Sequence, residues 1–323
     1  MLGIILGSAA VVMTYVTATV IFWRNPHLIH RKKRVSFSAT HISHRGGSAE
    51  GYENTLKNFK KAVENGTNML ELDVRLTRDG QVVVHHDQDL KRSASSPHLI
   101  SELDYAQLPP ISSVIPIDTI PGETFNDPLW SDEDRQIPLL SQVFATFPNV
   151  PINIDIKDNN DELIRKVADL IQEYQRSEIT VWGSFNNTTC TRCYKTNPNV
   201  GLFVSAKKAV LLCLATFTGI LPYIPIKETH YEVLLPSSIK RRRLKQVSSL
   251  NFGERFLFAF IDAFLVNKPL ISHLRKRGIH VYMWVCNTED EFSECFDKGA
   301  NGIMTDYPTR LRRYLEKHPA RNN

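Results

Sequence analysis

Short β-rich runs alternate with helical patterns along most of this 323-residue chain, and this alternation constrains the fold more than any other feature. Helical stretches such as 55–65, 161–176 and 290–298 separate several of the runs, and the second of these places its apolar residues on one face. Such alternation is typical of a parallel sheet. The predicted strands are 41–46, 69–76, 82–86, 152–157, 179–183, 201–205, 280–285 and 302–305.

The number of predicted strands favours one α/β architecture. Eight strands spread over most of the chain fit a (β/α)8 TIM barrel, which we predict for residues 40–315. The alternative is a doubly wound open sheet. No G-x-G-x-x-G follows a predicted strand, so the usual sequence signature of that alternative is missing.

The N-terminal segment has the composition of a membrane anchor. Its first 23 residues contain no Asp, Glu, Lys or Arg, and the basic stretch RNPHLIHRKKR follows. As a helix this segment would be about 34 Å long, enough to cross a bilayer. The positive charge follows the apolar run, whereas a cleaved signal peptide carries it before. We therefore predict a single transmembrane anchor at 1–24 and a basic juxtamembrane linker at 25–39.

The basic cluster at 31–34 predicts a cytoplasmic catalytic domain, with the endoplasmic reticulum or another internal membrane as the expected location. A second apolar region, 207–270, is predicted to be a hydrophobic, membrane-associating insertion between strands 6 and 7. A single crossing there would separate the strands of one barrel, so we expect the insertion to lie in the membrane interface. Residues 316–323 are predicted to be a tail.

Composition argues against several classes of protein. The net charge is +5 and aromatic residues are not interleaved with basic runs, so nucleic acid is not an expected partner. The five cysteines are an odd number and are scattered. Cys190 and Cys193 form a C-x-x-C, but no second C-x-x-C or histidine pair follows it. Reduced, inert thiols are therefore favoured over a zinc or redox site.

Carboxylates recur at the ends of the predicted strands, where barrel enzymes place their reacting groups. Glu71 and Asp73 are two residues apart and so face the same side of a strand, and Asp155 and Lys157 repeat this spacing. Carboxylates inside a barrel would need partners. An oxygen-rich set without cysteine predicts a hard divalent cation, Mg²⁺ or Ca²⁺.

Two histidines, one arginine and one tryptophan also lie at strand ends. His44 and His86, on the first and third predicted strands, have a spacing suited to a general acid and a general base. Arg45 offers a planar fork for phosphate, and Lys157 adds a second positive charge. Trp284 is either a core residue or a substrate-binding residue, and we predict the second. No G-x-S-x-G is present, so phosphodiester cleavage is favoured over acyl transfer.

Five motifs occur in an order that resembles the glycerophosphodiester phosphodiesterase family: HRG…ENT, ELDVRLTRDGQVVVHHD, NIDIK, VYMWVCN and GIMTDYP. With the anchor and the apolar insertion, the chain is similar to the membrane-anchored lysophospholipase D branch. The resemblance implies a (β/α)8 barrel, a divalent cation and cleavage of glycerol 3-phosphate, or its acylated form, from an alcohol.

The resemblance also implies roles for individual residues. The two histidines become the acid–base pair, Arg45 and Lys157 bind phosphate, and Glu53 and Asn54 close the mouth of the site. Catalytic roles therefore fall to His44, His86 and Arg45, and substrate binding to Glu53, Asn54, Lys157 and Trp284.

For the metal, the resemblance implies Glu71, Asp73 and Asp155 as ligands, with His86 close enough to contribute. One position departs from the family pattern, because Asp155 stands where the family usually has glutamate. A shorter carboxylate there brings the cation closer or binds it through water.

Three functions follow. The first is metal-dependent hydrolysis of lysophospholipids to lysophosphatidic acid and an alcohol such as choline or an N-acylethanolamine. The second is the same chemistry on water-soluble glycerophosphodiesters, releasing glycerol 3-phosphate. The third is an inactive barrel that serves as a membrane scaffold. The expected partners are the lipid or glycerophosphodiester substrate and a membrane.

Overall fold

The structure is a computed structural model that describes residues 2–247 and 249–321. The first residue of the predicted anchor, the last two residues of the predicted tail and Ser248 lie outside the described residues. The strands are β1 (His41–Ser43), β2 (Met69–Leu76), β3 (Val82–Val84), β4 (Val114–Pro116), β5 (Thr124–Asn126), β6 (Ile152–Ile156), β7 (Thr180–Gly183), β8 (Gly201–Leu202), β9 (His230–Leu234), β10 (His280–Trp284) and β11 (Gly302–Thr305). The helices are α1 (Leu2–Arg24), α2 (Leu56–Glu64), α3 (Lys91–Ala94), α4 (Leu140–Thr146), α5 (Asp161–Glu173), α6 (Asn187–Thr196), α7 (Ala206–Phe217), α8 (Pro236–Gln246), α9 (Phe252–Leu265), α10 (Lys268–Lys276), α11 (Glu289–Lys298) and α12 (Pro308–Lys317).

Eight parallel strands form a nearly closed barrel. They pair in the order β8-β7-β6-β2-β1-β11-β10-β9, and an isolated parallel bridge between Phe203 and His230 joins the two ends of this row. Helices follow the strands on the outside, as a (β/α)8 barrel requires. The predicted barrel is therefore confirmed, and the open doubly wound sheet is not formed.

One predicted barrel strand lies outside the ring. Residues 82–86 were expected to form the third strand, but β3 spans only Val82–Val84 and pairs antiparallel with the end of β2. Val82 and Val84 are nonetheless buried in the same apolar cluster as the strands of the ring. A run of three valines can form a strand inside the ring or beside it, which is why the sequence did not distinguish the two. The prediction of a barrel strand at 82–86 was wrong, and the third strand of the barrel is β6.

The sixth strand of the barrel, β9, lies inside the region that we predicted to be an insertion. His230 is buried and Glu232 faces the barrel cavity, whereas Tyr231 and Val233 pack outwards against the helices. Residues 207–270 are therefore not a single insertion. They contain the barrel helix α7, the strand β9, and then α8 and α9 as extra helices between β9 and α10.

The first apolar segment of this region, the helix α7, belongs to the barrel. α7 buries Ala209, Leu212 and Cys213 in the core, and β8 before it and β9 after it join the same barrel, so α7 stays on one side of any bilayer. Among the described residues, 252–276 form the one helical segment that is long and apolar enough, by length and composition, to span a membrane. The structure divides them into α9 and α10, with Asn267 capping the second helix.

The N-terminal helix α1 has the extent of the predicted anchor. The C-terminal half of α1 contacts the barrel, because the rings of Tyr15 and Phe22 pack on Tyr223 with centroids 6.1 and 5.7 Å away, and Trp23 lies 5.1 Å from His273. Val11, Val12 and Met13, further from the barrel, are exposed. α1 thus projects from the barrel beside the segment that follows α7.

A long connection between β3 and α4 covers part of the barrel mouth. This connection contains the hairpin β4-β5. The fully buried ring of Tyr52 holds this hairpin in place, because it packs edge-on against Phe125 and Trp130 at 4.9 and 5.3 Å. Its hydroxyl donates to the Ser113 carbonyl at 2.6 Å. The turn of the hairpin is thereby positioned at the mouth.

Candidate active site

A cavity of about 250 Å³ opens at the mouth of the barrel, towards the C-terminal ends of its strands. Enzymes with this fold carry their active sites at this face. Polar and apolar residues line different parts of the cavity, except that Glu232 comes from β9, which lies between the strands β8 and β10 of the apolar part. The polar side consists of His44, Arg45, Glu71, Asp73, His86, Asp118, Thr119, Asn153, Asp155, Lys157 and Glu232. The apolar side consists of Phe185, Phe203, Trp284, Val285 and Met304.

His44 follows β1 directly and is oriented by a buried carboxylate. Its Nδ1 lies 2.7 Å from Oδ1 of Asp306, and Ser48 donates to the same oxygen at 2.7 Å. Asn287 donates to the other oxygen, Oδ2, at 2.8 Å. Burial would raise the pKa of Asp306, but the adjacent His44 and these donors hold it well below its ordinary value. An ionised carboxylate only accepts, so Nδ1 of His44 carries a proton and Nε2 is left for the cavity.

The surroundings of His44 also favour its charged form. Burial alone would lower the pKa of His44, but the negative charges of Glu71 and Asp306 outweigh burial and raise it. Nε2 of His44 lies 3.9 Å from Oε2 of Glu71. The imidazole can therefore hold and release a proton at the edge of the carboxylate group.

His86 lies on the loop that follows β3 rather than on a barrel strand, yet its local arrangement repeats that of His44. Its Nδ1 is 2.7 Å from Oδ1 of Asp87, and Arg92 donates to the other oxygen of Asp87 at 2.7 Å. Arg92 also donates to Glu53 at 2.7 and 2.8 Å. The two histidines thus share one arrangement. In each, an aspartate holds Nδ1, and Nε2 is left for the cavity.

Arg45 owes its position to a tight left-handed turn. Arg45 itself has φ 50° and ψ 31°, and Gly47 has φ 96°, where a Cβ would lie 2.6 Å from the Pro308 ring. The buried guanidinium contacts Glu53 at 3.1 Å, Asp73 at 3.3 Å and Asp118 at 2.9 Å. These carboxylates outweigh burial and raise the pKa of Arg45 further above its ordinary value.

Lys157 links two of the predicted metal ligands. Its Nζ lies 2.8 Å from Oδ1 of Asp73 and 2.7 Å from Oδ2 of Asp155. Burial would lower the pKa of Lys157, but these carboxylates raise it, so the amine stays charged. Oδ1 of Asp155 is buried without a hydrogen-bond partner. The strand ends therefore present an unused carboxylate oxygen next to a fixed positive charge.

Glu53 and Asn54 lie behind the cavity wall rather than on it, in contrast to the predicted substrate contact. Glu53 bridges Arg45 and Arg92, and although burial opposes it, these two cations lower the pKa of Glu53 to about 2. Asn54 has a left-handed backbone, with φ 59°, and donates to Oδ2 of Asp73 at 3.0 Å. Both residues orient side chains that do line the cavity.

Several cavity residues were missed from the sequence. Glu232, on the unrecognised strand β9, accepts a hydrogen bond from Asn153 at 2.8 Å. Asp118 and Thr119 come from the turn between β4 and β5. The alternation of HYEVL could have indicated Glu232, but no local signal marks the turn residues, because the packing of the hairpin brings them to the mouth.

The donor chemistry of the cavity fits a hard divalent cation. Two fixed cations, Arg45 and Lys157, face five carboxylates on the lining. Among the described residues, no three potential ligands already surround a common point. Burial, with the charge of Asp73, raises the pKa of Glu71, which a cation would reverse. The carboxylates are Glu71, Asp73, Asp118, Asp155 and Glu232.

This cavity combines proton-transfer groups with positive charge, as a barrel phosphodiesterase requires. The proton-transfer groups are two histidines, each held by an aspartate, and the charge comes from two buried cations beside the carboxylates. Comparison with known proteins gives the family: the chain belongs to the glycerophosphoryl diester phosphodiesterase family, which matches residues 44–310.

Curated relatives match almost the whole chain. It is 42% identical over 307 residues to the human protein named Lysophospholipase D GDPD1, with 95% of both chains covered. It is 36% identical over 307 residues to human Lysophospholipase D GDPD3, with 94% of both covered.

Solved structures share the fold at lower identity. A phosphodiesterase from Oleispira antarctica, in complex with the product sn-glycerol-3-phosphate, has a TM-score of 0.62 and 19% identity and covers 87% of this chain and 98% of its own. A glycerophosphoryl diester phosphodiesterase domain from Mycobacterium tuberculosis has a TM-score of 0.64 and 14% identity and covers 86% and 99%.

Proposed function

We propose that this chain is a membrane-bound lysophospholipase D. It hydrolyses the bond between the phosphate and the headgroup alcohol of a lysophospholipid, and it releases lysophosphatidic acid and an alcohol such as choline or an N-acylethanolamine. The observation that carries this proposal is the convergence of His44 and His86 on one cavity beside buried cations. The human relatives, 36–42% identical over nearly the whole chain, supply the substrate class.

In this proposal the two histidines divide the proton transfers. Glu71 and Asp306 favour the charged form of His44, which suits a general acid that protonates the leaving alkoxide. His86, held by Asp87, then acts as the general base. The attacking oxygen belongs either to water or to the free hydroxyl next to the phosphate, and His86 takes its proton in either route. In the second route the hydroxyl oxygen bonds to phosphorus as the alcohol leaves, and water then opens the cyclic phosphate to give lysophosphatidic acid.

A phosphate anion needs more positive charge than this cavity supplies. Arg45 and Lys157 are already paired with carboxylates, and carboxylates outnumber cations on the lining. We propose that Glu71, Asp73 and Asp155 hold a Mg²⁺ or Ca²⁺ ion, with His86 close by. When bound, such an ion offsets charge on the phosphoryl oxygens. Arg45 and Lys157 orient the phosphate beside it.

The test is choline release by the purified protein. We expect turnover of lysophosphatidylcholine in the presence of Mg²⁺ or Ca²⁺ and turnover about two orders of magnitude lower after treatment with EDTA. Turnover of glycerophosphocholine alone would favour the second function, a phosphodiesterase for water-soluble substrates. Turnover of neither substrate would favour the inactive scaffold, although the groups needed for chemistry all lie on one cavity.

We also propose that the protein lies against a membrane. α1 is the anchor, and an exposed apolar surface on α7 and α9, here called the apolar face, rests in the interface. Stacked rings join the two helices, because Phe217 lies 5.7 Å from Phe264, which lies 5.8 Å from Phe260. The members of the apolar face are Val210, Leu211, Leu214, Phe217, Phe252, Phe256, Leu257 and Phe260.

Basic side chains beside the apolar face suit the anionic headgroups of an internal membrane. Lys240 and Arg243 of α8 are exposed, and Arg242 ties this helix to the cavity rim by donating to the Val285 carbonyl at 2.8 Å. Lys207 is exposed at the start of α7.

Site-directed labelling tests the topology. Cysteines introduced at Glu228, Arg255 and Lys57 should all react from the cytoplasmic side in sealed vesicles, because the barrel keeps them on one side. Labelling of the Glu228 or Arg255 site from the side opposite to the Lys57 site would contradict both the interfacial apolar face and the closed barrel. Labelling of all three from the lumen would contradict the orientation.

A further inference from the structure

The apolar side of the cavity has no part in proton transfer or phosphate binding. Phe185 follows β7, and its ring lies 5.3 Å from that of Trp284 at an interplanar angle of 77°. Phe185 is 47% exposed, although it lines the cavity. A half-exposed phenylalanine at the mouth of a polar site marks a place where an apolar ligand can cover it.

The aromatic pair continues into the barrel as a small apolar wall. Phe203, Val285 and Met304 line the same side of the cavity, and Phe203 and Met304 are almost completely buried. This wall gives a substrate two distinct surroundings, one for a phosphate and one for hydrocarbon.

The aromatic pair also continues outwards onto the apolar face. The backbone N–H of Ala206, the first residue of α7, donates to the Phe185 carbonyl at 3.2 Å. Ala206, Val210, Leu214 and Phe217 share one side of α7 by helical spacing. The last three are 43%, 49% and 64% exposed. An apolar path therefore leads from the cavity, past Phe185, onto the exposed side of α7.

We propose that Phe185 and Trp284 form a subsite for the acyl chain of a lysophospholipid, which leaves the cavity past Phe185 towards α7. This inference rests on the proposed function and deepens it. An acyl chain fits better than a choline headgroup, because the path is continuous with the apolar face and leads away from the carboxylates. The subsite would let the enzyme distinguish an acylated phosphodiester from its deacylated counterpart.

Paired substrates test the subsite. Glycerophosphocholine and short-chain lysophosphatidylcholine, used below its critical micelle concentration, differ only in the acyl chain, so any headgroup contact cancels in the ratio of their kcat/KM values. Phe185→Ala should lower the ratio of lysophosphatidylcholine to glycerophosphocholine about tenfold, the scale expected when a pocket loses apolar contact. Phe185→Leu should restore most of it.

The matched control is Leu129→Ala. Leu129 is an 86% exposed apolar residue that does not line the cavity, so this variant should keep the wild-type ratio. An unchanged ratio in Phe185→Ala, or an equal fall for both substrates, would overturn the acyl-chain subsite.

A binding measurement separates the subsite from the proposed function. A lysophosphatidylcholine with a diazirine in its acyl chain is photo-cross-linked to His44→Ala protein, and the labelled peptides are identified by mass spectrometry. We expect label on the peptides that contain Phe185 or Trp284, removed by excess unlabelled lipid. Such label without turnover by the wild type would support the subsite and refute the lysophospholipase D function. Turnover with label only elsewhere would refute the subsite and keep the function.

Discussion

The two sides of the barrel mouth differ in how far their side chains are buried and paired. On the polar side, β1, β2 and β6 and the connection to α4 bury charged groups and pair nearly every one of them, as Arg45 with three carboxylates illustrates. On the apolar side, β7 and the helices α7 and α9 leave large apolar groups such as Phe185 and Phe256 exposed and uncovered. The polar side thus supplies partners for most of its own charges, although Oδ1 of Asp155 has none among the described residues, whereas the apolar side leaves its large groups exposed.

This difference gives the two sides different tasks: the polar side positions the catalytic groups, and the apolar side contacts the lipid. A chain of polar contacts runs from His86 through Asp87, Arg92 and Glu53 to Arg45, so the two sequence-distant parts of the polar side hold each other in place. Such a satisfied buried network makes the geometry rigid. The exposed side also has ion pairs, from Asp262 of α9 through Lys298 to Glu294, but they leave large apolar groups of α7 and α9 uncovered. Such a surface suits lipid in many orientations.

Removing either histidine should break the polar side most severely. We expect His44→Ala and His86→Ala each to reduce kcat by about 10²–10⁴-fold, because general acid–base groups contribute on that scale. Asp306 keeps its bonds to Ser48 and Asn287 in the first variant, so the fold should survive. Steady-state choline release and circular dichroism are the measurements. The surface variant His98→Ala is the control, and near-wild-type kinetics for either cavity variant would remove that histidine from the mechanism.

Removal of the divalent cation should have the next largest effect. EDTA is expected to lower turnover by roughly two orders of magnitude, since a metal ion supplies several kcal/mol of charge stabilisation. Added Mg²⁺ or Ca²⁺ should restore it in the wild type, but restoration should require more cation in Glu71→Gln and Asp73→Asn. Isothermal titration of the cation into each variant gives the affinity directly, and full activity in EDTA would rule out the cation.

Glu232 offers a finer test, because it is a carboxylate that the polar side does not pair with a cation. Burial, with the charges of Glu71 and Asp155, raises its pKa well above the ordinary value, against the opposing hydrogen bond from Asn153. The folded protein then binds this proton more tightly than the unfolded chain, so stability falls as pH rises above the unfolded pKa.

Replacing this carboxylate by an amide removes that loss. In cation-free protein, Glu232→Gln should therefore be more stable than the wild type by about 1 kcal/mol at pH 8, and by less at pH 5. Thermal melts across this pH range measure the difference. The same gain at both pH values would mean that Glu232 does not titrate as described.

The sequence predicted the polar side better than the apolar side for a physical reason. Residues at the ends of β1, β2 and β6 are placed by strand periodicity, so Glu71, Asp73 and Asp155 could be brought to one face from their spacing alone. Partners supplied by distant loops could not, because Asp118 and Arg92 reach the mouth through the packing of the long connection between β3 and α4.

The apolar side was predicted less well for a different reason. The strand β9 turns Tyr231 and Val233 outwards beneath the helices and carries Glu232 inside, the reverse of a strand that faces water on its outer side. Because the apolar helices α7 and α9 precede and follow it in the sequence, β9 resembled part of a membrane insertion. Hydrophobicity alone does not distinguish a helix that packs on a barrel from one that lies in a membrane.

The smallest expected effect concerns the charges beside the apolar face. Without α1, the barrel should still bind vesicles that contain anionic lipid, because the apolar face and the basic residues of α8 remain. Lys240→Gln should then weaken binding by about 1 kcal/mol, or roughly fivefold, the usual contribution of one basic residue near such a surface. The loss should shrink as salt screens the surface charge.

Vesicle co-sedimentation at two salt concentrations measures both effects, with Lys60→Gln, an exposed lysine on α2, as the matched control. Equal losses in both variants, or binding that is insensitive to salt, would mean that the exposed side meets the membrane through its apolar groups alone.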